Sequence, residues 1–177
     1  MAWVTEVSEE QASPELKRLY EVLRAEFGFV PEFYKALGLL PKAIEGQLAL
    51  GPAILNDGAL PRKIKEQIAV VVSGLNTSSY CVAMHIEQLR QFGIEKPLGR
   101  KLAVDYPSAP VEPKVQALFR FADKLTRKPG DIEKADVDAL RAAGWNDEQI
   151  IETVLTTALF GFFNRISIGL GLVADFM

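Results

Sequence analysis

Punctuation is what most constrains this chain. Prolines and small polar residues open one segment after another, glycines close them, and within each the apolar residues recur at three- and four-residue steps. In "SPELKRLYEVLRAEFG", Ser13 is placed to cap a helix, Pro14 to occupy its first position and Gly28 to end it. Leu16, Leu19, Tyr20 and Leu23 then form one buried stripe. "VPEFYKALGLLP" predicts a short helix between two prolines, and "PKAIEGQLALGPAILNDG" a further one that Gly51-Pro52 would bend or break.

The centre reads the same way. In "LPRKIKEQIAVVVSGLN" the run "IAVVV" suits a buried strand as well as a buried helix, and the charged, helix-favouring lead "RKIKEQ" decides for a helix buried on most sides. "SSYCVAMHIEQLRQFG" restarts as a second helix, with Ser78 or Ser79 as cap and Gly93 as stop. After the proline-rich loop "DYPSAPVEP" come "KVQALFRFADKLTRKPG", "EKADVDALRAAG" ending at Gly144, and a long apolar helix from an Asn146 cap. No stretch alternates with period two. The sequence therefore predicts an all-α fold: one domain over residues 1–177, a bundle of about seven to nine helices. An offset of 86 residues lays Glu66 over Glu152, each followed by an apolar run, a match that two buried helices produce without any duplication.

Composition removes several function classes. A net charge of −3 gives no basic surface for nucleic acid. One cysteine cannot build a disulfide framework. The first fifteen residues carry four glutamates and no basic residue, unlike a signal or transit peptide. The apolar run "VLTTALFGFF" is too short to span a bilayer and meets Asn164 and Arg165. These readings predict a cytoplasmic protein without a membrane partner.

The chain's one cysteine, Cys81, and its one histidine, His85, stand four positions apart in "SSYCVAMH". With Ser78 as cap, Cys81 is the third residue of the helix and His85 shares its face one turn on. Free amides at a helix N-terminus, and a neighbouring imidazolium, stabilise a thiolate, the nucleophilic form of cysteine. A hairpin through "GLNTS" would bring Glu66 back to His85, where a carboxylate orients an imidazole as in catalytic triads. Plain readings stand beside this one. A lone cysteine is most often a small buried hydrophobe, a lone histidine a satisfied core or surface group, and Glu66 between Lys63 and Lys65 a solvated residue. One cysteine and one histidine fall short of a metal site unless carboxylates join them.

The spacing itself resembles the carboxymuconolactone decarboxylase superfamily and, within it, the alkylhydroperoxidase D-like (AhpD-like) proteins. Glu66, eleven residues, "SSYC", three residues and His85 follow that family's Glu, Cys-x-x-Cys and His, and Gly93 follows eight residues later. The core motif spans 61–93. "ALFRFADKLTRKPGDIEKADVDALRAAGWNDEQIIE" and "FFNRI" extend the similarity, toward the peroxidase-related branch, over nearly the whole chain. The resemblance implies an AhpD-like bundle and a thiol peroxidase acting on hydrogen peroxide or organic hydroperoxides without metal or cofactor. Cys81 would become a sulfenic acid, His85 and Glu66 would relay protons, and Ser78 and Tyr80 would be supporting polar groups. Ser78 replaces the cysteine that closes the family's intramolecular disulfide. A hydroxyl can cap the helix and bond to the thiolate, but it cannot resolve a sulfenic acid, so an external thiol, or Cys81 of another subunit, has to do so. Two alternatives are lactone-directed proton chemistry by His85 and Glu66, as in the decarboxylase members, and a non-catalytic oligomer that keeps the site as packed polar residues.

The segment from Ile150 to Met177 has only Glu152, Arg165 and Asp175 as charged residues. With "IAVVV" it offers more continuous apolar surface than a small helical monomer covers, which predicts subunit contacts. Together with the resemblance, this implies a homo-oligomer, a trimer or hexamer.

Overall fold

Every residue from Ile68 to Val72 is fully buried, and the molecule is built around them. The computed structural model describes residues 2–174. Among these it forms nine α-helices and no strand: α1 Pro14–Phe27, α2 Glu32–Ala36, α3 Pro41–Leu55, α4 Arg62–Leu75, α5 Ser79–Gln91, α6 Lys96–Asp105, α7 Pro113–Arg127, α8 Lys134–Ala142 and α9 Asp147–Gly169. The central helix α4 is encircled by α5, α6, α7 and α9. The all-α reading holds. The apolar run belongs to the interior of a single chain, so "IAVVV" is core and contributes nothing to an outer surface.

Caps fall where the punctuation placed them. Ser13 Oγ accepts the Leu16 amide, Pro14 opens α1, and Gly28 ends it in a left-handed conformation (φ 82°). Asn146 and Gln149 close a reciprocal capping box at the start of α9. One expectation fails, and one stretch carried none. Helix α3 runs through Gly51-Pro52 without a break. Pro52 has no amide hydrogen for the Leu48 carbonyl, but the helix ends three residues later, so the lost bond falls in its last turn. Residues 96–105, unassigned from the sequence, form α6. Its Gly99 reads as a breaker, yet a side chain there would press on Ile86 of α5 at 3.0 Å. Gly74 of α4 likewise admits the Ala103 carbonyl of α6, where a Cβ would overlap it. These glycines set how closely α6 lies against the central hairpin.

A second apolar cluster joins α1 to α3 through Leu16, Tyr20, Leu23 and Ile44. A third gathers Phe33, Ala36, Tyr80, Cys81 and Leu172, so Cys81 lies where α2, α5 and the C-terminal segment meet. No helix among the described residues is long and apolar enough to cross a membrane. Residues 175–177, with Asp175, lie outside the described residues.

Candidate active site

The site is made by one tight turn. After α4, the Asn76 amide donates to the Val72 carbonyl, Thr77 to Gly74 and Ser78 to Ser73, and α5 begins at once. Thr77 sits at φ 60°, a conformation that a branched side chain seldom adopts, so the reversal is enforced by its surroundings. The antiparallel return puts Glu66 of α4 opposite His85 of α5, with Oε2 and Nδ1 2.6 Å apart. Arg62 Nε donates to the other carboxylate oxygen at 3.2 Å, and Arg62 Nη1 to Asn56 Oδ1 at 3.3 Å.

Glu66 is fully buried, not solvated. Burial pushes its carboxyl up, but the charges and hydrogen bonds of His85 and Arg62 outweigh burial and hold it below the ordinary carboxylate value. An ionised carboxylate only accepts, so Nδ1 of His85 carries the hydrogen and Nε2 is left for other work. The imidazole is further fixed by the edge of Phe160, with ring centroids 4.5 Å apart.

Cys81 is the third residue of α5, and its amide donates to Ser78 Oγ at 3.4 Å. Ser78 is therefore the cap, as expected, but its hydroxyl bonds Ser167 Oγ at 2.8 Å and does not itself reach the sulfur. Ser167, from α9, stands 3.6 Å from Cys81 Sγ and also donates to the Asn164 carbonyl at 3.0 Å. Among the described residues no hydrogen bond joins Sγ to His85. They meet instead as two walls of one cavity of about 100 Å³, lined also by Arg62, Phe33, Tyr34, Met84 and Phe163. Tyr80 packs at this wall, its hydroxyl accepting the Phe33 amide at 3.4 Å. Burial, and next the nearby Glu26, push the Tyr34 phenol up, which keeps it a protonated donor at the cavity.

The sequence reading missed Arg62, Phe160, Asn164 and Ser167. Arg62 had a local signal, since it lies one turn before Glu66 on the same helix. Asn164 and Ser167 had a weaker one: two polar residues three apart in an apolar helix. In the structure Asn164 donates to Ser73 Oγ at 2.9 Å and accepts from Asn76 at 2.9 Å, clamping α9 to the α4–α5 turn.

The carboxymuconolactone decarboxylase family model matches residues 41–97, which carry α3, α4, α5 and every residue of the motif. No curated protein sequence matches significantly. Solved structures do. An uncharacterised peroxidase-related protein of Ralstonia eutropha with an AhpD core superposes with a TM-score of 0.91 at 26% identity, over 99% of this chain and 93% of that one. A peroxidase-related protein from a Silicibacter species gives 0.87 at 28% identity, over 97% and 93%. The debrominase Bmp8, bound to 2,3,4-tribromopyrrole, gives 0.82 at 20% identity, over 98% and 92%, a likeness of fold. The family match on the motif helices and the AhpD-type neighbours along almost its full length support a likeness to the carboxymuconolactone decarboxylase and AhpD-like superfamily.

Proposed function

We propose that the protein is a cofactor-free thiol peroxidase of the one-cysteine kind, reducing hydrogen peroxide or small organic hydroperoxides at Cys81. One observation carries this reading: a cysteine in the first turn of a helix shares a cavity wall with a histidine whose other nitrogen is held by a buried carboxylate at 2.6 Å. Nε2 of His85 takes the thiol proton. The thiolate then attacks the terminal peroxide oxygen, the S–O bond forms as the O–O bond breaks, and sulfur loses two electrons to the peroxide. The leaving alkoxide takes the proton from His85 and departs as an alcohol, or as water from hydrogen peroxide. Glu66 keeps its hydrogen bond to Nδ1 throughout, and Ser167 Oγ, whose hydrogen goes to the Asn164 carbonyl, stands 3.6 Å from the sulfur.

Ser78 cannot condense with the sulfenic acid. An external thiol, or Cys81 of a second subunit, attacks its sulfur, expels water and leaves a disulfide, and a further thiol restores Cys81 while carrying the disulfide away. Such a cycle suits a reducing compartment, the cytoplasm. Treatment with substoichiometric peroxide followed by a dimedone-type reagent should label Cys81, and no labelling would sink the proposal.

A second reading, proton chemistry on a lactone by His85 and Glu66 with Cys81 as bystander, is favoured by the missing bond between His85 and the sulfur. A Cys81→Ser protein that kept such an activity would establish it, whereas a peroxidase loses everything with the thiol. The AhpD-like fold also serves a debrominase, so the fold by itself does not choose.

We also infer a homo-oligomer, a trimer or hexamer. Ile151, Leu155 and Phe162 of α9 form an exposed apolar stripe at helical spacing, each more than two-fifths exposed. A mass near 19.5 kDa by light scattering would overturn this.

A further inference from the structure

The inward face of α3 runs Ile44, Gln47, Gly51 and Ile54. Such a stripe ordinarily carries apolar groups alone, and Gln47 breaks it. Its side chain is 7% exposed, it lines the same cavity as Cys81 and His85, and its Oε1 is buried with no hydrogen-bond partner. A buried acceptor without a donor is destabilising, so a position where leucine would pack has kept a group that the fold does not use.

The turn after it leaves space. Gly51 also lines the cavity, and a Cβ built there meets no atom within 4 Å. The remaining wall is mostly apolar: Phe33, Leu48, Met84 and Phe163. A volume of about 100 Å³, open at one side, takes a single ring or a short branched chain.

We propose that Gln47 is the recognition residue of this cavity, and that its ligand is a small apolar molecule, about one ring in size, whose O–H or N–H donates to Gln47 Oε1. This goes beyond the peroxidase reading, because it states what the cavity holds whatever Cys81 then does. Aliphatic and aromatic surface binds the body of the ligand, and the unpaired amide oxygen selects molecules with a donor over those without one.

The test is an NMR titration of reduced protein with phenol, which has the donor, and toluene, which has the shape alone. In wild type both shift cavity signals such as the Met84 methyl. Gln47→Leu weakens phenol about three- to tenfold, the worth of one net hydrogen bond, and leaves toluene unchanged or tighter. Its Tm rises by roughly 2–4 °C, because an unpaired polar atom leaves the interior. Gly51→Val, which fills part of the space while the Gln47 amide stays in place, weakens both ligands. The proposal is overturned if neither ligand binds wild type at millimolar concentration, if Gln47→Leu weakens both equally, or if that variant loses stability, which would make Gln47 a structural residue. Because binding is read on the thiol form without peroxide, a protein that never yields a sulfenic acid can still pass this test, and the two readings fail separately.

Discussion

Glu66 and Glu152 occupy the same place in two helices, each a turn or so inside and each followed by an apolar run, yet they have opposite uses. Glu152 accepts the Leu60 amide at 2.6 Å and the Ala59 amide at 3.2 Å, and pairs with Lys65 Nζ at 3.0 Å. Lys65 is itself almost fully buried and gives its other hydrogens to the carbonyls of Ile54 at 2.9 Å and Asn56 at 2.8 Å. All three ammonium donors are spent. The cluster fastens the 56–60 loop to α9 and has nothing left to offer a ligand. Gly58 completes it, since a Cβ there would overlap the Glu152 carboxylate. Glu66 holds instead a partner with a second functional end: His85 is fixed through Nδ1 and keeps Nε2 for the cavity it lines. In this molecule the paired carboxylate at the candidate site is the one whose partner has reactive capacity left over, and the structural one is the one whose partner's donors are all consumed.

The largest expected effect breaks the structural member. Lys65→Met keeps the length of the stem but removes the charged partner of Glu152, which keeps its two amide donors, and the donor of two carbonyls. Removing one partner of a fully buried pair costs about 3–5 kcal/mol, and with Glu152 partly exposed the loss should lie near the lower end, which in a chain of this size is roughly 10 °C in Tm. Sulfenic-acid formation at Cys81, measured at a temperature where both proteins are folded, should be unchanged. A slower reaction in Lys65→Met, or a loss of less than about 2 °C, would show that the two clusters are not separable in this way.

The next effect strikes the other member. Glu66→Gln is nearly isosteric and can still bond both Arg62 and His85, so the cost in stability should be smaller than for Lys65→Met. An amide, however, does not stabilise the imidazolium that forms when His85 takes the thiol proton. The rate of Cys81 sulfenylation at pH 7 should fall about 100-fold, in the range found for a positioned acid–base group. Peroxide kinetics followed by dimedone-type trapping measure this, and a loss under about threefold would reduce Glu66 to a packing residue.

The sequence discloses one of these clusters and hides the other for a physical reason. Glu66, Cys81 and His85 are joined by a single turn, and α5 is capped by Ser78 beside it, so local rules bring them together. The same holds for α1, whose Ser13 and Gly28 set both ends, and for the cap at Ser78. Lys65 and Glu152 meet only because α9 returns to lie on α4, and no local pattern carries that register. Ser167 reaches Cys81 by the same return. Gln47 is hidden differently: on α3, a helix with little contrast between its faces, nothing in the sequence says which side is inward. Pro52 misleads because its usual meaning as a breaker is set aside by nearness to the helix end.

The smallest effect lies in acid, and it compares the two carboxylates directly. For each, burial is the largest influence and pushes the carboxyl up. The hydrogen bonds and opposite charges around it, Leu60, Lys65 and Ala59 for Glu152 and His85 and Arg62 for Glu66, bring it below the ordinary value of 4.5. A group whose folded pKa is depressed adds stability that is fully present above its unfolded value and is lost as pH falls through the folded one. Titrating Tm downward from neutrality should therefore cost wild type stability below pH 4.5, part of it from each residue. Glutamine at either position removes that residue's titration, so Glu66→Gln and Glu152→Gln should each start less stable than wild type near neutrality and approach it on acidification. The gap should narrow for each as the pH falls through the acid range. Differential scanning fluorimetry of the three proteins across the acid range measures it. A gap that stays constant, or widens, as pH falls would mean that the partners do not outweigh burial, and for Glu66 it would leave His85 anchored to a neutral acid in place of a carboxylate.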